Sequence, residues 1–274
     1  MNAFSAWPHQ AFLSLWRHRH LTRQMLRREV EGRYRGTLMG LTWSFITPLF
    51  MLGVYTFAFS LVFRARWPQG GLGDSHFGFV LILFAGLIVF GLFQECASRA
   101  HTLVADQPNY VKKVVFPLEI LPWAHLGAAL VHLAIALGLL LAVQLLATGQ
   151  LQWTVLLLPL VLLPLGLGLL GLMWLMAALG VYFRDLGQIV SVLISAMMFL
   201  SPIFYPVSAV PPGVRWLIFL NPLSYFIETA RGVILWGTVP DLVPWLTALA
   251  IALALLAFGF AAFQKLRKGF ADVL

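Results

Sequence analysis

A chain of 274 residues that is 61% hydrophobic and only 10% charged is too apolar for a soluble domain. Its mean hydropathy of +0.89 indicates a polytopic membrane protein with room for about six helical spans and no second folded domain. Its long continuous apolar runs exclude a β-barrel, and its single cysteine excludes an intrachain disulfide. The basic residues behind its net charge of +8 are expected to set membrane topology rather than to bind nucleic acid.

The first 35 residues are dense in arginine and are predicted to form an amphipathic interface segment at the cytoplasmic membrane surface. Apolar Phe12, Trp16 and Met25 recur at near-helical spacing among seven arginines. This pattern is typical of a basic helix that lies among the lipid headgroups. For the first twenty residues, a solvated tail that only sets topology is the alternative.

Residues 36–267 are predicted to form one all-α transmembrane domain with six spans. Charged residues, glycines and prolines divide the apolar sequence into these spans. Arg184 and Asp185 are placed in a tight turn, because an ionisable residue at the bilayer centre costs about 2.5 to 3.5 kcal/mol. The predicted spans cover about 38–63, 75–95, 120–147, 153–183, 186–205 and 242–264.

The stretch between Val207 and Asp241 is apolar, yet prolines and glycines divide it into pieces too short to cross a bilayer. Irregular backbone at membrane depth is tolerated only where it is buried in protein or lines a cavity. The sequence therefore predicts two re-entrant half-helices that enter the membrane from its outer side, between spans five and six.

A polar island, DQPNYVKKVVFPLEILP, interrupts the apolar sequence at residues 106–122. Its charges place it outside the bilayer core, and Pro108 and Pro117 bracket an amphipathic stretch that is predicted to be a short helix on the membrane surface. A short, stiff element between two spans suits the transmission of force from a soluble partner. An ordinary cytoplasmic loop, kept in water by its charges, is the alternative.

The distribution of basic residues predicts that both termini are cytoplasmic. With that orientation, fourteen of the eighteen lysines and arginines lie in inner segments and four in outer ones. The positive-inside rule favours this arrangement. It places the N-terminal segment, the polar island and the Arg184 turn on the same side of the membrane.

The sequence offers no energy source for transport within this chain. The predicted spans hold aspartate, glutamate, lysine or arginine only near their ends, as with Glu95, which argues against proton or sodium coupling, and no GxxxxGK[ST] phosphate-binding loop occurs. Another polypeptide is therefore expected to supply the energy. A membrane-embedded enzyme acting on lipid-linked sugars is an alternative, although the seven histidines form no cluster in the sequence. A membrane scaffold without transport activity is a third possibility.

Five motifs occur in order along the chain: YRGTLMGLTWSFITPLF at 34–50, KKVVFPLEILP at 112–122, YFRDL at 182–186, SPIFYP at 201–206 and NPLSYF at 221–226. Together they resemble the membrane subunits of ABC-2 type exporters, specifically the permeases that export lipid-linked polysaccharides such as O-antigen. Exporters of capsular polysaccharide and of teichoic acid are near relatives of those permeases.

The resemblance implies a homodimer of this chain bound to two copies of a separate ABC ATPase in the inner membrane of a bacterium. ATP and magnesium would be bound by the ATPase, and no cofactor by this chain. The N-terminal segment and the polar island would contact the ATPase, while the half-helices around Asn221 would gate the exit. The residues expected to couple to the ATPase are Arg27, Arg28, Arg33, Tyr34, Arg35, Asp106, Asn109, Tyr110, Lys112 and Lys113. Those expected at the outer gate are Pro202, Pro206, Asn221, Pro222 and Tyr225.

Aromatic residues are expected to line the path of the polysaccharide. A sugar chain is polar but presents flat C–H faces, so shallow and repeated aromatic contacts would let it slide. Tyr55, Phe59 and Phe63 fall at i, i+4 and i+8 on one stripe of the first span, and Phe199 and Tyr205 lie in the fifth. Packing against other helices or against lipid is the alternative role for such a stripe.

Overall fold

The chain is almost entirely helical in the residues that the computed structural model describes, which are 9–34, 39–58, 67, 76–112 and 116–274. The predicted all-α class is confirmed for those residues. The helices are α1 (His9–Arg17), α2 (Arg19–Tyr34), α3 (Trp43–Tyr55), α4 (His76–Ala100), α5 (Pro108–Lys112), α6 (Leu121–Thr148), α7 (Leu158–Tyr182), α8 (Leu186–Leu200), α9 (Arg215–Leu220), α10 (Pro222–Arg231), α11 (Leu242–Leu266) and α12 (Phe270–Val273).

Proline and glycine set several of the helix ends. Pro122, Pro159 and Pro222 lie in the first turns of α6, α7 and α10, where a missing N–H removes no helical hydrogen bond. Gly149 ends α6 with a left-handed φ of 69°, a conformation that side chains with a Cβ rarely adopt. These positions fix where the chain turns back between apolar helices.

Within the part of the chain that the structure describes, four stretches are long and apolar enough to cross a bilayer: Gly78–Ala100, Leu118–Thr148, Trp153–Tyr182 and Leu242–Val273. They coincide with the predicted spans two, three, four and six, and they make this a multi-pass membrane protein. The helices at the predicted spans one and five, Trp43–Ala58 and Leu186–Leu200, are apolar but shorter. At 1.5 Å per residue the latter reaches about 22 Å, less than a hydrocarbon core of about 30 Å. The count of six spans therefore stays a prediction.

Helix α4 lies at the centre of the bundle. Of its apolar stretch, 67% is buried inside the protein, and it packs against α6, α7, α8 and α10. Its side chains Ile82, Leu83 and Ala85 are fully buried. Because α4 contacts so many elements along its length, a displacement of this helix would reach most of the bundle.

Helices α7 and α11 approach each other backbone to backbone through two glycines. A Cβ atom on Gly259 would collide with the Gly171 carbonyl oxygen, and a Cβ atom on Gly171 would lie 2.5 Å from the Leu255 carbonyl oxygen. In a bilayer, where lipid tails offer the same apolar contacts as leucine, close approach at small residues is a principal source of helix association.

Residues 9–34 of the N-terminal segment form the helices α1 and α2, as their amphipathic pattern predicts. The chain turns at His18 between α1 and α2. Leu26 of α2 packs against Gly127 of α6, and the Phe12 ring lies 5.5 Å from the Trp123 ring. The two helices are therefore docked on the bundle through their apolar residues.

The bundle has two ends that differ in composition, which are called here the terminal end and the distal end. The terminal end holds α1, α2, α5, α12 and the turn between α7 and α8. There, Tyr182 Oη at the end of α7 donates a hydrogen bond of 2.9 Å to the Leu266 carbonyl at the end of α11. The distal end holds residues 200–241, with α9, α10 and a π-helical turn at Gly232–Trp236. The two short helices lie where the half-helices were predicted. Their entry into a membrane stays a prediction.

Candidate coupling surface and distal gate

The polar island contains a short helix that contacts the N-terminal segment. Helix α5 begins at Pro108, as the bracketing prolines predict. Arg28 Nη1 of α2 donates a hydrogen bond of 2.9 Å to Tyr110 Oη of α5, and the Tyr110 ring stacks on the Phe116 ring with centroids 4.4 Å apart. Two of the predicted coupling residues, Arg28 and Tyr110, are thus in direct contact across 82 positions of sequence.

Helices α2 and α4 are joined by two reciprocal ion pairs. Each helix carries a glutamate and, four residues later, an arginine: Glu29 and Arg33 on α2, Glu95 and Arg99 on α4. Arg99 Nη1 lies 3.1 Å from Glu29 Oε2, and Arg33 Nη1 lies 2.8 Å from Glu95 Oε1. Because the side chains pair crosswise, we call these four residues the ion-pair ladder.

Two histidines of α6 face the carboxylates of the ladder. His132 Nδ1 lies 2.7 Å from Glu95 Oε1, and His125 Nδ1 lies 3.9 Å from Glu29 Oε2. Residues seven apart fall on one face of a helix after two turns. The facing His125 imidazole, with the charge of Arg99, holds the pKa of the Glu29 carboxyl below its ordinary value. The ladder therefore joins three helices at the terminal end.

Glu119 connects the polar island to both ends of the chain. Its Oε2 pairs with Arg267 Nη1 at 2.6 Å, and its Oε1 accepts a hydrogen bond of 3.2 Å from Ser14 Oγ of α1. Arg267 Nη2 also donates to the Phe116 carbonyl at 2.9 Å, and Trp174 Nε1 of α7 donates to the Glu119 carbonyl at 3.1 Å. One carboxylate thus ties α1 and the segment after α11 to the start of α6.

The segment that leads from α4 into α5 packs against the turn between α7 and α8. A Cβ atom on Gly180 would collide with the His101 carbonyl oxygen, and one on Gly187 would lie 2.6 Å from His101 Nε2. These two glycines flank the turn that contains Arg184 and Asp185. The turn with the YFRDL motif therefore packs against the segment that leads into the polar island.

The structure assembles the predicted coupling residues in part. Asp106, Asn109 and Lys112 are exposed at the terminal end. Arg27 is also exposed and pairs within α2, with Glu31 Oε1 2.6 Å from its Nε. The Tyr34 side chain and residues Arg35 and Lys113 lie outside the part of the chain that the structure describes.

At the distal end, Asn221 joins two of the sequence motifs. Its Nδ2 donates a buried hydrogen bond of 2.8 Å to Ser201 Oγ, and its Oδ1 accepts one of 2.9 Å from the Leu223 backbone N–H. The second bond caps α10, and Pro222 follows in the first turn. The SPIFYP and NPLSYF motifs are therefore held together by one side chain.

A further residue of the distal end, Arg231, is one of the four basic residues that the predicted topology places in outer segments, and no other role was predicted for it. Its side chain is completely buried and donates to the Ile82 carbonyl at 2.9 Å, the Pro202 carbonyl at 2.6 Å and the Ile203 carbonyl at 2.8 Å. Predicted gate residue Pro202 is thereby fixed to α4. The predicted gate residues Pro206 and Tyr225 lie on the same segment, and the Tyr225 ring lies 5.2 Å from the Phe226 ring.

The structure brings three of the predicted path residues together around a fourth aromatic ring. Tyr55 lies 5.5 Å and Phe199 lies 6.3 Å from the ring of Phe204, and Tyr205 Oη donates to the Phe199 carbonyl at 2.8 Å. Phe199 is 68% exposed, as a surface-lining or lipid-facing side chain would be. The predicted path residues Phe59 and Phe63 lie outside the described residues.

Glutamates take part in the ion pairs at both ends of the bundle. Each of the five glutamates in the sequence pairs with an arginine, although none was predicted to take part in the site. A signal was present, because a carboxylate in a chain this apolar needs a cation beside it. The repeated spacing of four residues from glutamate to arginine, at 29/33 and at 95/99, was a second signal in the sequence.

The fold defines the class of protein: a helical, multi-pass membrane protein with one charged end and one proline-rich end. Residues 20–235 match the family model described as ABC-2 type transporter, which covers most of the chain. The protein belongs to the ABC-2 type transporter family. The resemblance inferred from the five motifs is thereby confirmed.

Curated relatives cover nearly the whole chain. An O-antigen export system permease protein RfbA from Myxococcus xanthus is 30% identical over 261 residues, covering 94% of this chain and 96% of the relative. A protein of the same name from Klebsiella pneumoniae is 26% identical, covering 90% of this chain and 92% of the relative. The polysialic acid transport protein KpsM from Escherichia coli is 22% identical, covering 78% of this chain and 81% of the relative.

Proposed function

We propose that this chain is the membrane permease subunit of an ATP-driven exporter that moves a lipid-linked polysaccharide of the O-antigen type across the bacterial inner membrane. The observation that carries this proposal is the near full-length similarity to permeases named for O-antigen export. Two copies of this chain form the conduit as a homodimer, and two copies of a separate ABC ATPase drive it. ATP and magnesium are bound on the ATPase, outside this chain.

The terminal end supplies the surface for the ATPase. It carries the exposed residues Asp106, Asn109 and Lys112, and α5 is held there by Arg28 and by the stacked Tyr110 and Phe116 rings. A docked helix of this kind passes a displacement on to the helices around it. The excess of basic residues at this end, including both chain ends, favours a cytoplasmic position.

The distal end supplies the exit. The segment from Ser201 to Tyr225 is short-helical, apolar and rich in proline, and it is tied to itself through Asn221. Aromatic rings from α3 and α8 meet beside it at Phe204 and offer the shallow contacts along which a sugar chain slides. Moving such a gate from about 1:99 open to 99:1 requires about 5.5 kcal/mol of differential binding, which the ATPase supplies through α5 and α2.

The test is reconstitution of the chain with the ATPase that accompanies it in its host. Proteoliposomes that contain both proteins should move a lipid-linked polysaccharide across the bilayer only when ATP is present. Vesicles with the permease alone are the control and should move none. Transport by the permease alone, or none by the complete assembly with any lipid-linked polysaccharide of the host, would contradict the proposal.

Capsular polysaccharide is the second candidate substrate, because the chain also resembles a polysialic acid transport protein. The O-antigen class is favoured by the higher identity and coverage of the relatives that carry that name. Offering both kinds of lipid-linked glycan to the same vesicles decides between them.

A further inference from the structure

Arg231 has a set of partners that an incidental buried residue would not have. Its guanidinium donates to carbonyls of two different segments: Ile82 in α4, and Pro202 with Ile203 in the SPIFYP motif. The last two carbonyls belong to an irregular stretch, where no helical N–H is in place to satisfy them. The fixed fork of an arginine side chain can serve several acceptors at once, which the single ammonium of lysine does less well.

Three further groups complete the surroundings of the guanidinium. Nη1 also donates to the Glu228 carboxylate at 2.8 Å, and the guanidinium carbon lies 4.6 Å from the centroid of the Trp67 ring. A Cβ atom on Gly86 of α4 would lie 2.6 Å from Nη2, so the guanidinium occupies the space that a side chain there would take. Arg231, Ile82, Pro202, Ile203, Glu228 and Trp67 are called the Arg231 latch.

We propose that Arg231 is the positioning residue that fastens the distal gate to α4, so that a displacement of α4 at the terminal end is passed to the gate segment. This inference rests on the proposed function. The latch would set the position of the gate, while the polysaccharide itself contacts other residues.

The opposite end of α4 lies at the terminal end of the bundle. There, Glu95 and Arg99 pair with α2, and the chain runs through His101 into the coupling helix α5. At 1.5 Å per residue, the 25 residues of α4 span about 37 Å. One continuous helix therefore has the candidate ATPase surface at one end and the candidate gate, held by the latch, towards the other.

A break in the latch has a defined consequence. If the guanidinium is displaced, the carbonyls of Pro202 and Ile203 lose their donors, and the gate segment is no longer fixed to α4. The terminal end is unaffected, because no latch residue lies there. The inference therefore predicts ATP hydrolysis without matching export, together with a gate that closes poorly.

The matched experiment uses two glycines of the same helix. Gly86→Ala places a methyl group against Arg231 Nη2, whereas Gly91→Ala meets nothing within 4 Å. Both variants are assembled with the ATPase in proteoliposomes, and polysaccharide export is measured per ATP hydrolysed. We expect Gly86→Ala to lower the ratio of export to ATP hydrolysis by about tenfold, because displacing Arg231 Nη2 breaks a buried hydrogen bond from a charged group. Gly91→Ala should leave this ratio unchanged. Equal ratios in the two variants would overturn the inference.

A second measurement needs no polysaccharide, so it tests the latch even if the proposed substrate is wrong. Release of a small polar solute from vesicles without ATP is compared, per inserted protein, for Arg231→Lys, Glu228→Gln and the wild type. A purely structural role would reduce the amount of inserted protein and leave the release per protein unchanged. We expect Arg231→Lys to raise release by about tenfold, and Glu228→Gln, which leaves the three carbonyl bonds in place, to raise it less. Release equal to wild type in both variants would contradict the latch, whereas failure of the wild type to export any glycan would contradict only the proposed function.

Discussion

The ion-pair ladder at the terminal end and the Arg231 latch at the distal end hold arginine in opposite ways. At the terminal end, the side chains of Arg33 and Arg99 are 53% and 55% exposed and pair with carboxylates. At the distal end, Arg231 is fully buried, and three of its hydrogen bonds go to backbone carbonyls. Arginine thus takes part in a solvent-exposed set of ion pairs in the ladder and in a fully buried set of hydrogen bonds in the latch.

This difference fits what each end has to do in the proposed exporter. Exposed ion pairs contribute about 0.2 to 1 kcal/mol each and are screened by salt, so they can separate and re-form in every cycle. Removing a partner from a buried charge costs about 3 to 5 kcal/mol, so such a site keeps its geometry. A surface that responds to an ATPase suits the first kind of interaction, and a framework that carries a gate suits the second.

Among Asn221, Glu119, Arg99 and Tyr110, the largest effect on stability is expected at Asn221. Asn221→Ala removes the cap of α10 and leaves Ser201 Oγ without its buried donor, which should lower the free energy of unfolding by about 2 to 4 kcal/mol. Unfolding in mixed micelles with increasing SDS measures this change. Ser201→Ala keeps the cap and should cost less. Equal losses in the two variants would show that the inter-motif bond, and not the cap, carries the effect.

Glu119→Gln should have the next largest effect. The Glu119 and Arg267 side chains are each 15% exposed, so loss of the carboxylate charge should lower the free energy of unfolding by about 2 kcal/mol. Glu31→Gln is the matched control, because it breaks an exposed pair with Arg27 on the surface of α2. The same unfolding assay should find the control unchanged. Equal losses of unfolding free energy in Glu119→Gln and Glu31→Gln would contradict the expectation that the mostly buried ion pair contributes more than the exposed one.

The ion-pair ladder should show a smaller effect that charge exchange reverses. Arg99→Glu places two carboxylates together and should cost about 1 kcal/mol at low salt, while Glu29→Arg combined with Arg99→Glu should recover most of it. Repeating the unfolding at 1 M salt should shrink the cost of the single variant. A double variant no better than the single one would contradict the pairing.

The smallest effect is expected at Tyr110. Tyr110→Phe loses the hydrogen bond from Arg28 but keeps the ring stacked on Phe116, so it should cost about 0.5 to 1 kcal/mol and reduce export per ATP about twofold. Tyr110→Ala loses both contacts and should reduce export further. If Tyr110→Ala exports as much polysaccharide per ATP as the wild type, α5 does not transmit a displacement from the ATPase to the bundle.

Composition and local signals predict much of the fold and only part of the site. The long apolar runs and the prolines at 108, 122 and 222 indicate where helices begin, because those signals act within one turn of the chain. The helix at the predicted fifth span ends at Leu200 rather than at 205, because Pro202 and Pro206 of the SPIFYP motif discourage a longer helix. Phe204, the ring on which Tyr55 and Phe199 converge, was not predicted to line the path.

The pairing partners could not be predicted, for a physical reason. Arg231 finds its acceptors in backbone carbonyls 28 to 149 positions away, and a carbonyl carries no residue-specific signal. Glu119 likewise reaches Arg267 across 148 positions. The ladder is the exception, because the spacing of Glu29 to Arg33 and of Glu95 to Arg99 is visible in the sequence even though their crosswise pairing is not.

The most direct test asks which end of the bundle meets the ATPase. A photo-activated cross-linking residue is placed at Asn109 in α5 or at Phe219 in α9, both of which are exposed, and the complete exporter is illuminated in its membrane. The account predicts that the ATPase subunit is captured from position 109 and not from position 219. Capture from position 219 with none from position 109 would contradict it.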